Sequence, residues 1–210
     1  MTTNELQNQI ETELQQEYFN NFLSKLPPRY RDVSFETFKA VTLEQQETLR
    51  ICKSFAEAIV SRQKTGQAPT MNLIFFGLPG TGKTHLAISI LKHVMEQTSR
   101  YRTCYAKCFD MSVLLDRAFS SVDQTSAFSK MKRFSECHLL VIDDGIRLTL
   151  PSACELFFHI IDQRYQNSLS TILITNETDL TKLDDRVISR LSDRGACIQF
   201  LGDDYRKLYL

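Results

Sequence analysis

Residues 72–84, Asn72-Leu73-Ile74-Phe75-Phe76-Gly77-Leu78-Pro79-Gly80-Thr81-Gly82-Lys83-Thr84, decide the fold. Leu73 to Phe76 is a short β-branched and aromatic run that ends in glycine, which reads as a buried strand. The spacing of Leu86, Ala87, Ile90, Leu91 and Val94 reads as a helix. Between them lies G-x-x-x-x-G-K-T, and strand, glycine-rich loop and helix in that order make a P-loop. Gly77, Gly80 and Gly82 admit backbone angles and close approaches that a Cβ would block. The loop N–H groups can therefore curl around a phosphate chain at a helix N-terminus. Lys83 is placed to reach the β- and γ-phosphates of ATP, and the Thr84 hydroxyl to ligate Mg²⁺. Leu78, Pro79, Thr81 and His85 complete the nucleotide-binding stretch, with Pro79 stiffening the loop at the cost of a donor the phosphates do not need.

A second stretch supports the first. Leu139-Leu140-Val141-Ile142-Asp143-Asp144 is an apolar run ending in two acids, the form of a Walker B strand. A strand beside the P-loop delivers Asp143 to the Mg²⁺ shell, and Asp144 then orients and polarises the attacking water. Ser170 to Asn176 reads as a further strand ending in Thr175-Asn176; its terminal amide is a candidate contact for the γ-phosphate and that water, or an ordinary turn former. Residues 184–192 read as a short helix on which Arg186 and Arg190, four apart, share a face.

Composition narrows the function classes. The 210 residues carry no formal net charge, with 42% hydrophobic and 24% charged residues, which excludes a disordered chain and a nonspecific nucleic-acid coat. The six cysteines form no C-x-x-C pair and read as reduced, mostly buried thiols. The first residues lack a basic region followed by an apolar run, and no apolar stretch approaches the ~20 residues of a membrane span. A cytoplasmic protein without a membrane partner is expected.

Two regions are expected along the chain, an N-terminal helical arm over residues 1–26 and an ATPase domain over 27–210. The arm has a capping-box pattern, Thr2-x-x-Glu5, and an apolar stripe, Leu6, Ile10, Leu14, Tyr18 and Phe22, joined by Phe19, Leu23 and Leu26. Glu5, Glu11, Glu13 and Glu17 occupy the other face, and Pro27-Pro28 stops the helix. Two readings stay open: a helix packed on its own domain, or an arm that binds a partner. Tyr30 or Arg31 is a candidate adenine contact. Residues 43–63 and 110–121 read as helices, and Thr103 to Phe109 and Ala196 to Leu201 as strands. Residues 122–134 begin polar and become helical, with Lys130, Lys132 and Arg133 as a basic cluster that fits either a solvated face or a DNA phosphate backbone.

The ordered set of motifs resembles the AAA+ ATPases of the DnaC/IstB-like group, bacterial and phage helicase loaders among them. The resemblance is carried by Gly77 to Ala87, Leu139 to Asp144, Ile174-Thr-Asn176, Arg186-Val-Ile-Ser-Arg-Leu191, Asp204-Tyr-Arg206 and Leu26-Pro-Pro-Arg-Tyr-Arg-Asp-Val-Ser-Phe35. It implies a three-layer α/β fold with a mainly parallel five-stranded sheet in the order 5-1-4-3-2. It implies that Asn176 is the sensor-1 residue, and that Arg190, with Arg186 as second candidate, is an arginine finger acting on ATP held by a neighbouring subunit in a homo-oligomer. It further implies a replicative DNA helicase and single-stranded DNA as partners, with residues 110–134 on the DNA-facing side. An IstB-type transposition helper acting on duplex DNA, and a nucleotide-binding module without turnover, are the alternatives. Two features depart from the loader pattern. Asp143-Asp144-Gly145-Ile146 stands where Asp-Glu-Ile-Gly is common, which points to slow hydrolysis. No C-terminal lid domain with a sensor-2 arginine is expected beyond Asp204-Tyr205-Arg206.

Overall fold

The computed structural model describes residues 2–65, 71–98, 102–107, 111, 113, 124–143, 151–202, 204 and 205. The chain divides into two compact units, Met1–Pro69 with Thr84–Tyr101, and Thr70–Lys83 with Arg102–Leu210.

The first unit is helical. Helix α1, Thr3–Lys25, starts at a reciprocal capping box: the Thr2 hydroxyl accepts from Glu5 N at 3.3 Å, and the Glu5 carboxylate accepts from Thr2 N at 2.7 Å. It ends at Leu26, before the two prolines. The expected apolar stripe does not stay on one face. Steps of four residues drift by about 40° each on a helix of 3.6 residues per turn, so the line from Leu6 to Phe22 winds around the axis. The inward side is Gln15, Phe19, Phe22, Leu23 and Leu26, whereas Leu6, Ile10, Leu14 and Tyr18 are exposed, Leu14 by 60%. Gln15 Nε2 fastens this inner side by donating to Met95 O and Glu96 O, both at 2.8 Å.

After a 3₁₀ turn at Pro28–Tyr30, Arg31 donates to Leu26 O and Ser24 O at the end of α1. A cation among a helix's last carbonyls is well placed, so the Arg31 guanidinium serves α1. Tyr30 O–H accepts from Arg29 Nη2 at 2.6 Å. Helix α2, Leu43–Thr65, opens on a second capping box: the Thr42 hydroxyl accepts from Gln45 N, and Gln45 Oε1 accepts from Thr42 N. It buries Cys52, Phe55, Ala56, Ile59 and Val60. Helix α3, Lys83–Gln97, follows the P-loop, and Lys92 Nζ on it donates to Arg31 O and Val33 O, both at 2.8 Å.

The second unit holds a five-stranded sheet: β1 Asn72–Gly77, β2 Thr103–Lys107, β3 Leu139–Asp143, β4 Ser170–Ile174 and β5 Gly195–Phe200. Every neighbouring pair is parallel, in the order β2-β3-β4-β1-β5. All five residues of β3 and of β4 are buried, which is why these strands read as unbroken apolar runs rather than alternating ones. Ile74, Leu140, Ile142 and Leu173 form one core with Phe157, Ile160 and Ile161 of helix α5, Pro151–Gln166, and Val187 and Leu191 of helix α6, Asp185–Ser192. Asp184, inside the expected span, is the N-cap of α6 rather than its first turn. Gly195 is the first residue of β5, where a Cβ would meet Leu191 O at 2.1 Å. The strand expected over 103–109 is described to Lys107. Helix α4, Gln124–Glu136, carries the basic cluster. The helix expected over 110–121 lies outside the described residues, apart from 111 and 113.

One buried cation ties this unit together. Arg164, 1% exposed, donates to Thr171 Oγ1 at 2.9 Å, Phe134 O at 2.6 Å, Cys137 O at 2.8 Å and Ser170 O at 2.5 Å. It joins the end of α4, the approach to β3 and the start of β4. Removing it would leave these acceptors without that partner in a dry interior, at about 1–3 kcal/mol for each group left unsatisfied. Arg164→Ala is expected to destabilise the protein by at least about 3 kcal/mol in denaturant unfolding. Arg164→Lys is expected to recover little of this, because an ammonium cannot span the same fork.

Candidate functional site

The P-loop glycines take the backbone the motif requires. Gly77, Gly80 and Gly82 have φ of 124°, 83° and 95°. A Cβ on Gly77 would stand 2.5 Å from Phe200 O, and one on Gly80 would stand 1.8 Å from Asp204 Oδ1. Tyr205 N donates to Gly80 O at 3.1 Å, so the chain after β5 lies against the loop. Inside the turn, Lys83 is 5% exposed and its Nζ donates to Gly77 O at 2.7 Å and Leu78 O at 2.6 Å. Thr81 is buried and its hydroxyl donates to Leu78 O at 2.8 Å, while Leu78 and Pro79 are exposed. The loop is thus closed by its own side chains around an ammonium.

Two strand ends frame this loop within the second unit. Asp143 closes β3 with its side chain buried, and Tyr105 O–H donates to Asp143 Oδ2 at 2.7 Å. Strand β4 lies between β1 and β3, so Thr175 and Asn176 emerge between the P-loop and Asp143. Gly77 N donates to Glu177 O at 2.9 Å, which puts the Asn176 turn one hydrogen bond from the loop's first glycine. Asn176 is exposed. Asp144 lies outside the described residues. In the first unit Thr84 is half-buried, and the His85 ring contacts the segment before α2: its Nε2 is 2.9 Å from Ser34 O and 3.2 Å from Thr37 Oγ1, with Phe38 edge-on at 5.4 Å. A shallow cavity of about 240 Å³ lined by Asn72, Ser168, Leu169 and Arg194 sits at the opposite ends of the strands, away from these groups.

Arg186 and Arg190 do share a face of α6, as their spacing predicts, but neither is held out alone. Arg190 Nε donates to Asp162 Oδ1, and its guanidinium lies 4.4 Å from the Phe158 ring centre. Arg186 lies 4.3 Å from the same ring and bonds Asp184 at 2.8 Å and Glu155 at 2.9 Å. Lys130, Lys132 and Arg133 are all exposed on α4, yet they do not form one patch. Lys130 and Arg133, three apart, share a side, whereas Lys132 points elsewhere and lies 3.8 Å from Glu136.

A family model described as IstB-like ATP binding protein matches residues 67–207, from the approach to β1 to the segment on Gly80. The chain belongs to the IstB-like ATP-binding family. It is 33% identical over 145 residues to the ATP-binding protein of insertion sequence IS232 from Bacillus thuringiensis, covering 64% of this chain and 55% of that one. It is also 33% identical over 159 residues to the corresponding protein of IS5376 from Geobacillus stearothermophilus, covering 74% and 56%. This IstB-like chain therefore spans little more than half the length of these curated relatives. The solved structure of the DnaC helicase loader has the same fold, with a TM-score of 0.69 at 24% identity, covering 83% of this chain and all of that one. The protein is thus a P-loop member of the IstB-like ATP-binding family whose α/β fold is shared with that loader. No helix among the described residues is long and apolar enough to cross a membrane. Of the described cysteines, Cys52, Cys104 and Cys137 are buried, Cys154 is half-buried and Cys197 is exposed.

Sequence reading missed Tyr105 and Asp204. Tyr105 sits in β2 opposite Val141, two positions short of the pair Lys107 and Asp143; the available signal was a tyrosine two residues from the end of a strand bordering the Walker B strand. Asp204 was legible only as part of a motif, with no reason for its acid. In this IstB-like site, Tyr105→Phe removes one donor to Asp143. It is expected to raise the Mg²⁺ concentration needed for nucleotide binding by roughly 10-fold in a fluorescent-nucleotide titration, with the melting temperature little changed.

Burial holds the His85 imidazole below its ordinary value of 6.5, and the positive Lys92 acts the same way, against the opposing bond to Ser34 O. The folded state therefore prefers neutral His85. Its stabilising share is complete above about pH 6.5 and is lost as pH falls through the depressed folded value. Thermal unfolding followed from pH 7.5 to 5 should show falling stability, and His85→Gln should flatten that slope.

Proposed function

We propose that the protein is an ATP-binding and slowly hydrolysing DnaC-like loader in DNA replication. In this reading it binds single-stranded DNA and a replicative helicase, and it works as a homo-oligomer. The carrying observation is the grouping of the Lys83 loop, the Asp143–Tyr105 pair and the Asn176 turn at one end of a parallel sheet. That is the layout in which a magnesium–triphosphate complex is held and a water is lined up against its γ-phosphate. Main-chain N–H groups and Lys83 would bind the phosphates, Thr84 and Asp143 would hold Mg²⁺, and Asn176 would position the water with Asp144. Mg²⁺ would supply charge neutralisation across the phosphates.

Hydrolysis also needs positive charge where the transferred group develops negative charge, and Arg190 of a second copy is the candidate, with Arg186 beside it. Such a head-to-tail contact builds rings or spirals. The exposed line Leu6, Ile10, Leu14 and Tyr18, bordered by Glu13 and Glu17, would be the helicase-facing surface of the arm. Lys130 and Arg133 together, and Lys132 from another side of α4, would meet the DNA backbone.

A second reading has its own support: the 33% identity to two insertion-sequence ATP-binding proteins favours a transposition helper that acts on duplex DNA. One set of measurements separates the two. ATP turnover is followed alone, with single-stranded DNA, with duplex DNA and with a purified hexameric replicative helicase. The loader reading expects stimulation by single strands and helicase capture that depends on ATP and on residues 1–25. Stimulation by duplex alone supports the transposition helper, and nucleotide binding without turnover under every condition removes the ATPase. Lys83→Ala is expected to lower ATP affinity by at least 10-fold, and unchanged affinity would remove the P-loop assignment.

A further inference from the structure

Helix α5 partly covers the arginine face of α6. Helix α5 presents Glu155, Phe158 and Asp162 to it, residues three and seven apart that line one side of a helix. Phe158 lies beneath both guanidinium groups, at 4.3 Å from Arg186 and 4.4 Å from Arg190. The two cations are nevertheless held differently. Arg186 has two carboxylates, Asp184 from its own N-cap and Glu155 from α5. Among the described residues Arg190 has one, Asp162, together with a bond from its Nη1 to Arg186 O at 3.1 Å. Arg190 is thus the more weakly neutralised of the pair, and its release requires one carboxylate to let go.

We propose that Asp162 is a positioning residue that parks Arg190 against Phe158 within its own subunit and yields it to the nucleotide of a second copy. The proposal rests on the reading of Arg190 as a residue acting in trans. A single carboxylate competes poorly with a triphosphate for a guanidinium, because the triphosphate carries several charges and offers several acceptors. Asp162 is also able to let go. Its Oδ2 accepts from Gln166 Nε2 at 2.7 Å, and its side chain is 22% exposed, so after release it keeps one partner and meets water. Phe158 remains under Arg186 throughout. The exchange therefore trades one partly exposed ion pair for a contact that exists only when a neighbour carries nucleotide, which links assembly to nucleotide state.

The test uses two full-length variants mixed together. Lys83→Ala supplies Arg190 but binds ATP at least 10-fold more weakly, and Arg190→Ala binds ATP but supplies no arginine. Asp162→Asn is placed first in the Lys83→Ala chain and then in the Arg190→Ala chain, and ATP turnover is measured at protein concentrations below saturation. The parked arrangement expects the first placement to exceed the second by about two- to fivefold, the range an ion pair of this exposure allows. It also expects Asp162→Glu in the first placement to return turnover to that of the parent mixture. A ratio of one or less overturns the parking role. Absence of turnover in the parent mixture itself overturns the trans role of Arg190, and the parking role with it. Should Asp162→Asn unfold the chain, Phe158→Leu takes its place, since it removes the stack and keeps the carboxylate. A rise from the Lys83→Ala placement then supports parking, and no rise overturns it.

Discussion

The position of β1 between β4 and β5 is the constraint on which the rest depends. A strand paired on both sides has fixed register, and its last residue leaves the sheet at one place only. That residue is Gly77, which pairs with Phe200 and has no room for a Cβ. The chain therefore turns into the P-loop where β4 ends alongside, and the Glu177 carbonyl meets the Gly77 amide. Ligands of open parallel sheets gather at the carboxyl ends of the strands, where connections diverge to the two sides. Here that rule brings the ammonium of Lys83, the carboxylate of Asp143 and the amide of Asn176 to one edge without any of them being neighbours in sequence.

Much of this was legible because it rests on short-range chemistry. The P-loop follows from glycine spacing, the parallel strands from unbroken apolar runs, and the start of α1 from Thr2 and Glu5. The illegible parts share a different cause: they depend on which side of an element meets which neighbour. The four-residue apolar repeat of α1 looked like a face, but a helix does not repeat at four, and the residues Gln15, Phe19 and Leu26 turned inward instead. A glutamine at the start of that inner side gives no apolar signal at all. Lys130, Lys132 and Arg133 are adjacent in sequence, and helical geometry sends them in two directions.

The charged interior was hidden for the same reason. Nothing local in the sequence sets Arg164 apart, yet the structure buries it among carbonyls and a hydroxyl supplied by three elements. Arg186 and Arg190 read as candidates for a neighbour's ATP, and within its own chain the structure pairs Arg186 with Asp184 and Glu155, Arg190 with Asp162, and both with the Phe158 ring. Sequence spacing predicts that two residues share a surface; it does not predict the acids that a second helix brings to that surface. Asp162 and Glu155 belong to α5, more than twenty positions earlier, and no local pattern announces them.

The two amide bonds from Gln15 have a mechanical reach beyond their strength. They grip the last carbonyls of α3, the helix that follows the P-loop in sequence. Fifteen residues of helix make a strut of roughly 22 Å, stiff along its axis. Within the first unit, an axial shift of that strut at Met95 would carry the amino-terminal helix with it. The first unit thereby holds α1 and the far end of α3 as one rigid pair, with one glutamine as the pin between them.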